Sequence, residues 1–407
     1  MGKIYFLDCT NRDAVQASRI SLSKFQKTMV NVYLGEAGIH QSEFGFPYIK
    51  HEQNYIRANL ELKERGALGS LVLEGWCRPL AIDIAASMSI GVKDLNVSIS
   101  TSDQMIQHKF DGKMTREGVI RLMTEAVKYA RQRGVSTLGA NAEDASRTDL
   151  SYLVEFGQAV KEAGADRLRY CDTVGFDNPV SIYDRVKVLA ERVKIDIEVH
   201  CHNDLGMAVA NSIAGARGAI DGGVNAYINT SVNGLGERCG QADLLSCILA
   251  CKFARDMEKY AVADPINLKV VANLARYIAY AFNVPIYLNQ PGVGASCFAH
   301  ESGIHADGAL KDRKNYELYD PEVLGIGGEE RIVTGHVITT GEYGGVAGLR
   351  YVYGKLGITF PDAESTERIL NLVRYASAHN QLPLTDDELR FIAKYPEQVR
   401  RILTVIP

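Results

Sequence analysis

Two hydrophobic rhythms alternate along the first two thirds of the chain. Short apolar runs with strand character recur at residues 4–9, 40–46, 70–77, 94–101, 136–144, 167–175, 196–203 and 226–233. The segments between them follow the helical period. In 117–133, Val119, Leu122, Met123, Ala126 and Val127 fall on one face, and in 150–163 Leu153, Phe156 and Val160 are spaced likewise. Eight strand–helix units predict an α/β fold, a closed (β/α)8 TIM barrel. The runner-up is an open doubly wound sheet. That fold usually places a glycine-rich phosphate loop after its first strand, where this chain has Asp8-Cys9-Thr10-Asn11-Arg12-Asp13.

After about residue 253 the rhythm changes. A helical pattern over 268–282 leads into the connector Asn289-Gln290-Pro291-Gly292-Val293-Gly294, then polar, glycine-punctuated sequence, and from Tyr343 onward helical segments dominate. The expected organisation is a catalytic barrel over 1–275, a linker subdomain over 276–330 and a C-terminal helical subdomain over 331–407.

Composition narrows the class of function. At 407 residues with a net charge of -4, the chain has no basic footprint for nucleic acid, although a local basic pocket for an anionic substrate fits. The start runs straight into an apolar strand without signal-peptide organisation, and no apolar stretch nears the roughly 20 residues of a membrane helix. Eight cysteines, among them Cys9, Cys171, Cys201 and Cys251, are scattered rather than clustered and read as reduced thiols. The expectation is a soluble cytoplasmic protein that engages neither nucleic acid nor membrane.

The most specific local chemistry is His200-Cys201-His202-Asn203-Asp204 at the end of the seventh run. Side chains alternate along a strand, so His200 and His202 share a face, and at a C-terminal strand end that face is the barrel mouth. Alone, the pair suits two hydrogen-bonded histidines as well as a metal site. Asp13, just after the first strand, completes a carboxylate and two imidazoles, while Arg12-Asp13 alone also suits a surface ion pair. Other strands end in polar residues too, including Glu43, Arg78, Ser98, Ser100, Glu143, Asp144, Asp172, Thr173, Asn229 and Asn233. In a barrel such ends are where catalytic groups sit.

Six ordered stretches carry a resemblance. They are Asp8-x-Thr10-x-Arg12-Asp13-x-x-Gln16, Glu43-Phe44-Gly45-Phe46-Pro47, Asn141-Ala142-Glu143-Asp144-Ala145-Ser146-Arg147, His200-x-His202-Asn203-Asp204, Asn233-Gly234-Leu235-Gly236-Glu237-Arg238 and Ser302-Gly303-Ile304-His305-Ala306. Together they resemble the acyl-CoA Claisen-condensing metalloenzymes: isopropylmalate, homocitrate, citramalate and (Re)-type citrate synthases, with hydroxymethylglutaryl-CoA lyase as a barrel relative. The resemblance implies that Asp13, His200 and His202 bind a divalent ion (magnesium, manganese or zinc). It implies that Arg12 is the catalytic cation beside the keto oxygen of a 2-oxo acid, positioned by Glu43. Gln16 and Thr173 become substrate-side groups, and Glu43, Arg78 and Ser98 are counted with them. His305, helped by Glu143 and with Tyr316 as acid/base partner, would take the proton of the acetyl-CoA methyl, after which water cleaves the thioester. Because His305 and Tyr316 lie beyond the barrel, the resemblance implies a homodimer in which residues 290–320 reach the partner's barrel mouth.

Several readings stay bland. Glu143-Asp144-Ala145-Ser146 also suits a helix cap, the Gly234–Gly240 run reads as a tight turn, and Lys109, Arg313 and Lys314 read as surface charge before CoA phosphate contacts. The chain also departs from the synthase pattern. Ala14-Val15 stands where Gly-Glu is usual, Gln241 where asparagine is usual, and Gly335-His336-Val337-Ile338-Thr339-Thr340-Gly341 where Gly-Lys-His-Ser-Gly is common. At this length the regulatory domain typical of isopropylmalate synthases is not expected, which makes that synthase the less expected one. The Ser42-Glu43-Phe44-Gly45-Phe46-Pro47 and Asp8–Asp13 variants resemble the (Re)-citrate type, which implies oxaloacetate as acceptor, with 2-oxoglutarate as the alternative and an isopropylmalate or citramalate synthase or a lyase behind them.

Overall fold

The computed structural model describes residues 2–299, 303–326 and 345–404. Ser302 and the unusual 335–341 stretch therefore lie outside the described residues. Eight parallel strands close into a barrel in sequence order: β1 (Ile4–Asp8), β2 (Gln41–Gly45), β3 (Val72–Cys77), β4 (Asp94–Ser100), β5 (Thr137–Glu143), β6 (Arg167–Asp172), β7 (Asp196–Cys201) and β8 (Ala226–Thr230). Closure is made by β1 against β8, in register from Ile4↔Ala226 to Asp8↔Thr230. The open-sheet alternative is thereby excluded.

Each strand lies inside its expected run. β6 and β8 each stop three residues short, β6 because Asp172 turns its carboxylate onto the next loop, accepting from Phe176 N at 2.7 Å and Asp177 N at 3.3 Å. The helices start where a side chain can take an orphan N–H. Thr115 caps Arg116–Gln132 and Asp149 caps Leu150–Ala163, which ends at Gly164 in the left-handed region. Asp149, not Glu143 or Asp144, is thus the cap after β5. Glu143 remains a strand-end residue facing the barrel mouth.

Beyond the barrel, helix Leu268–Ala281 packs on helix Lys24–Ala37, and four further helices (Val346–Lys355, Ala363–Asn380, Asp386–Lys394, Pro396–Leu403) close over the same side. Their apolar faces bury Ile369, Val373, Leu389, Ile392, Val399 and Ile402. Polar ties fix the docking: Tyr277 Oη donates to the buried Glu388 Oε1 at 2.8 Å, Gln398 Nε2 donates to Glu61 Oε1 at 2.7 Å, and Tyr33 bonds Asp387. Among the described residues no helix is long and apolar enough to cross a membrane.

The barrel interior is polar. Barrels of this kind usually fill with branched apolar side chains, whereas here Glu43, Glu74, Arg167, Arg169 and Glu198 are all buried inside. Arg167 Nη2 meets Glu74 Oε1 at 2.7 Å, and Arg169 Nη2 meets Glu198 Oε1 at 2.7 Å and also Glu43. Burying such charges costs several kcal/mol each unless they are paired. Arg167 and Arg169, both on β6, supply that pairing to the acids on β2, β3 and β7.

Candidate active site

The site begins with a turn at the end of β1. The carbonyl of Cys9 accepts from both Arg12 N at 3.0 Å and Asp13 N at 2.7 Å, which folds the chain over the barrel mouth and buries both side chains. The exposed ion pair that Arg12-Asp13 alone allowed is not what forms. Arg12 Nε bonds Glu43 Oε2 at 2.6 Å and its Nη1 lies 3.3 Å from Asp13 Oδ2. Glu43 is fully buried beneath Arg12 and reaches the cleft only through it.

From β7, His200 and His202 project to this same point. His200 Nε2 is 3.3 Å from Asp13 Oδ2 and 3.2 Å from His202 Nε2. Both imidazoles are buried, and Nδ1 of His202 has no hydrogen-bond partner. Two histidines placed only for hydrogen bonding would not turn two ring nitrogens toward each other and a carboxylate. A carboxylate against one imidazole, with a second imidazole beside that ring, is a donor set that fits a divalent ion. Among the described residues the ligand atoms lying within 4.8 Å of one another are those of Cys9, Asp13 and His200, and His202 joins them through His200, its Nε2 3.2 Å from His200 Nε2. Cys9 fits less well, because its thiol donates to Thr230 O and Gln241 Oε1, both at 3.2 Å, and burial pushes its pKa well up.

The charges of the site are set by their neighbours. Burial opposes ionisation of Asp13, but Arg12 and the His200 hydrogen bond outweigh it and hold the carboxyl well below the usual range. Glu43 behaves likewise: burial raises it, while Arg12 and Arg169 bring it down to about 2. Burial, reinforced by His200, lowers His202 to about 3, so both its nitrogens are without charge near neutrality.

These residues form the floor of a cleft of about 390 Å³, whose walls include Gln16, Arg78, Ser98, Glu143 and Thr173. Arg78 is gripped by Asp83 through Nε at 2.7 Å and Nη2 at 2.9 Å, with its guanidinium 5.2 Å from the Tyr48 ring centre. Thr173 Oγ1 accepts from Asp144 N at 2.8 Å. Glu143 takes a hydrogen bond from Ser100 Oγ and an ion pair from Lys109 Nζ at 2.6 Å. Lys109 is therefore half-exposed but engaged, more than the solvated charge its sequence suggested. Past Trp76, Arg78, Ser98 and Glu143 the cleft continues into a groove walled by Leu80, Ile99, Phe110 and Leu122.

His305 and Tyr316 are brought together with each other, rings stacked at 4.2 Å, on the segment after the barrel. Neither is among the residues lining the cleft of its own chain. The Gly234–Gly240 run forms the expected turn: Gln241 N donates to Gly234 O at 2.9 Å, and Gly240, at φ 82°, leaves no room for a Cβ beside the Gly234 carbonyl. That turn places the buried Gln241 opposite His202.

Sequence reasoning passed over Trp76 and the whole interior ion network. Trp76 lines the cleft with Arg12 5.9 Å from its ring centre. Its place on β3, two residues from both Glu74 and Arg78, is the alternation that would have found it. The same signal marks Arg167-x-Arg169 and Glu198-x-His200, since a charge inside an otherwise apolar parallel strand has only the barrel interior to face.

Comparison with known proteins agrees with this architecture. The family described as HMGL-like matches residues 3–278, and the homocitrate synthase post-HMGL domain-like family matches residues 293–380. The chain is 52% identical to a citrate (Re)-synthase of Dehalococcoides mccartyi over 100% of this chain and 99% of that protein. It is 37% identical to a 2-isopropylmalate synthase of Caldanaerobacter subterraneus subsp. tengcongensis, over 96% and 94% of the two chains. Among solved structures, a Bacillus subtilis HMG-CoA lyase superposes with a TM-score of 0.55 at 16% identity, covering 70% of this chain and 96% of that one, a likeness of fold alone. With its barrel and its post-barrel region both matched, the chain belongs to the HMGL-like family, on the branch that carries the homocitrate synthase type of extension.

Proposed function

We propose that the protein is an acyltransferase that condenses acetyl-CoA with oxaloacetate and hydrolyses the resulting thioester to citrate. The observation that carries the choice of acceptor is the 52% identity, across essentially the whole of both chains, to a protein named citrate (Re)-synthase. Asp13, His200 and His202 would hold a divalent ion, of magnesium, manganese or zinc, which supplies Lewis acidity to the keto group of the acceptor.

The chain's own groups supply the rest. Arg12, fixed by Glu43 and lying beside Asp13, puts donors where negative charge gathers on the keto oxygen during attack. Arg78, locked by Asp83 on the cleft wall, is a fixed cation for the second carboxylate of a dicarboxylic acceptor. Gln16, Ser98 and Thr173 contribute hydrogen bonds from the same walls. Glu143, held between Ser100 and Lys109 where the cleft opens into the apolar groove, stands where an acetyl thioester would enter. His305, paired with Tyr316, takes the methyl proton.

His305 and Tyr316 act from the partner subunit of a homodimer in this reading. Exposed Tyr287, Leu288, Ile304, Leu310 and Leu318 on the post-barrel segment, and exposed Phe176 and Leu205 on loops at the barrel mouth, give the two surfaces apolar character suited to such an interface. Its eight free cysteines suit a reducing compartment, and we place it in the cytoplasm.

The test offers acetyl-CoA with manganese and, separately, oxaloacetate, 2-oxoglutarate, pyruvate and 2-oxoisovalerate, and follows free thiol. Release with oxaloacetate supports the reading, release only with 2-oxoglutarate overturns the acceptor, and release with none overturns the activity. For the trans arrangement, mixing inactive His202→Ala and His305→Ala chains restores part of the turnover. No recovery on subunit exchange contradicts it.

A further inference from the structure

We propose that Asn229 is a positioning residue that serves both halves of the active site at once, setting the ring proton of His200 with its carbonyl and the carboxylate of Glu43 with its amino group. The proposal rests on the reading of Asp13, His200 and His202 as ligands. Asn229 lies on β8 with no exposed surface. Its Nδ2 donates to Glu43 Oε1 at 2.7 Å and to Glu198 Oε1 at 2.8 Å, and its Oδ1 is 2.9 Å from His200 Nδ1.

The polarity of this arrangement has one solution. An amide offers two N–H donors and one carbonyl acceptor, and an ion-paired carboxylate only accepts. Glu43 is paired with Arg12 and Arg169, and Glu198 with Arg169, so the amino group of Asn229 must face them. Its carbonyl then faces His200 and can only accept. Nδ1 of His200 therefore carries a proton, and Nε2, the nitrogen that faces Asp13 and His202, is the one left for an ion to take. The other end of the same amide reaches Arg12, because the Glu43 carboxylate it holds through Oε1 is the one that binds Arg12 Nε through Oε2. Every hydrogen-bonding group of the Asn229 side chain is used, and each on a residue of the site or its support.

Two substitutions separate the two roles. Asn229→Asp keeps an acceptor for His200 but loses both donors and sets a third carboxylate beside Glu43 and Glu198. It should hold manganese within a few-fold of wild type while turnover falls. Asn229→Ala removes both roles and should weaken manganese binding by ~10–100-fold, the usual effect of losing such a partner of a ligating histidine. Dissociation constants come from free-manganese EPR on chelator-stripped protein, and turnover from thiol release. Equal manganese affinity in wild type and Asn229→Ala, or equal losses of affinity in both variants, overturns the proposal.

A measurement on the wild-type protein needs no variant at position 229 to fold. Histidine-selective 15N NMR of the metal-free chain, with His200 assigned by its absence in His200→Gln, should show a proton on Nδ1 of His200, with or without a second one on Nε2 against Asp13. The Nε2–H tautomer overturns the role of Asn229. Failure of wild type to bind manganese instead overturns the metal reading, and the tautomer alone then decides the proposal.

Discussion

Glu43 Oε2 holds Arg12 Nε at 2.6 Å, and its other oxygen is held in turn by Asn229 and Arg169, so the cation at the floor of the cleft is anchored through one buried carboxylate to the barrel interior. Replacing Glu43 by Gln keeps the shape and removes the charge that aims Arg12. Turnover should fall by about 10²–10³-fold, the scale of losing one preorganised donor at developing charge. Chemical denaturation should show a loss of roughly 1.5–3 kcal/mol from the weakened charge-assisted bonds. Wild-type kcat in Glu43→Gln would show that Arg12 needs no such anchor.

The interior network also predicts a pH signature. Burial pushes the Glu74 carboxyl up to about 8, although Arg167 opposes the shift. Between the usual carboxylate range and that value the folded chain keeps a proton that the unfolded chain has released, so this group makes stability fall as pH rises through that window. The slope from one such group is at most about 1.4 kcal/mol per pH unit. Glu74→Gln mimics the protonated form, and its stability should fall less than that of wild type between pH 5 and 8. Urea denaturation of both proteins at each pH checks this, and parallel curves would mean that folded Glu74 is ionised throughout.

In the proposed reading, acceptor choice turns on Arg78. Arg78→Leu removes the wall cation that Asp83 holds in place, and a lost charge-assisted bond of about 1.5–3 kcal/mol corresponds to a rise of roughly 10–150-fold in KM for oxaloacetate. Pyruvate, which has no second carboxylate, should be used no worse by the variant than by wild type. Equal losses for both acceptors would move the distal-carboxylate role away from Arg78.

The C-terminal helices dock through a buried pair whose loss is measurable apart from catalysis. Tyr277→Phe leaves Glu388 Oε1 short of its donor at 2.8 Å, which should cost about 1–3 kcal/mol of folding stability with kcat unchanged. Unaltered denaturation midpoints would mean that solvent or Asn380, whose Nδ2 lies 3.3 Å from the same oxygen, takes the place of Tyr277.

The barrel was legible in the sequence because its strands carry continuous apolar runs between helices of clear period, and β1 to β8 all fall inside those runs. The proposed ligand set was legible for a different reason, since His200-x-His202 and Asp13 sit at strand ends that any such barrel turns to one mouth. What stayed hidden depended on packing across the barrel. Nothing local to Asn229 reveals that its amide touches β2 and β7 at once, and Glu43, expected both to position Arg12 and to face substrate, lies fully buried with its carboxylate bonded to Arg12. Glu143 shows the reverse. Its sequence suited a helix cap equally well, and only the cap made by Asp149 and the bonds from Ser100 and Lys109 assign it to the cleft.

The central claim is that Asp13, His200 and His202 hold one divalent ion against the acceptor. Anomalous diffraction from crystals grown with manganese and oxaloacetate tests it most directly. The account predicts a single strong anomalous peak per chain, bonded to one carboxylate oxygen of Asp13 and one nitrogen each of His200 and His202, with oxaloacetate beside it and within reach of Arg12. A peak ligated by Cys9 in place of His202, or no peak at this site in a protein that still turns over, would contradict it.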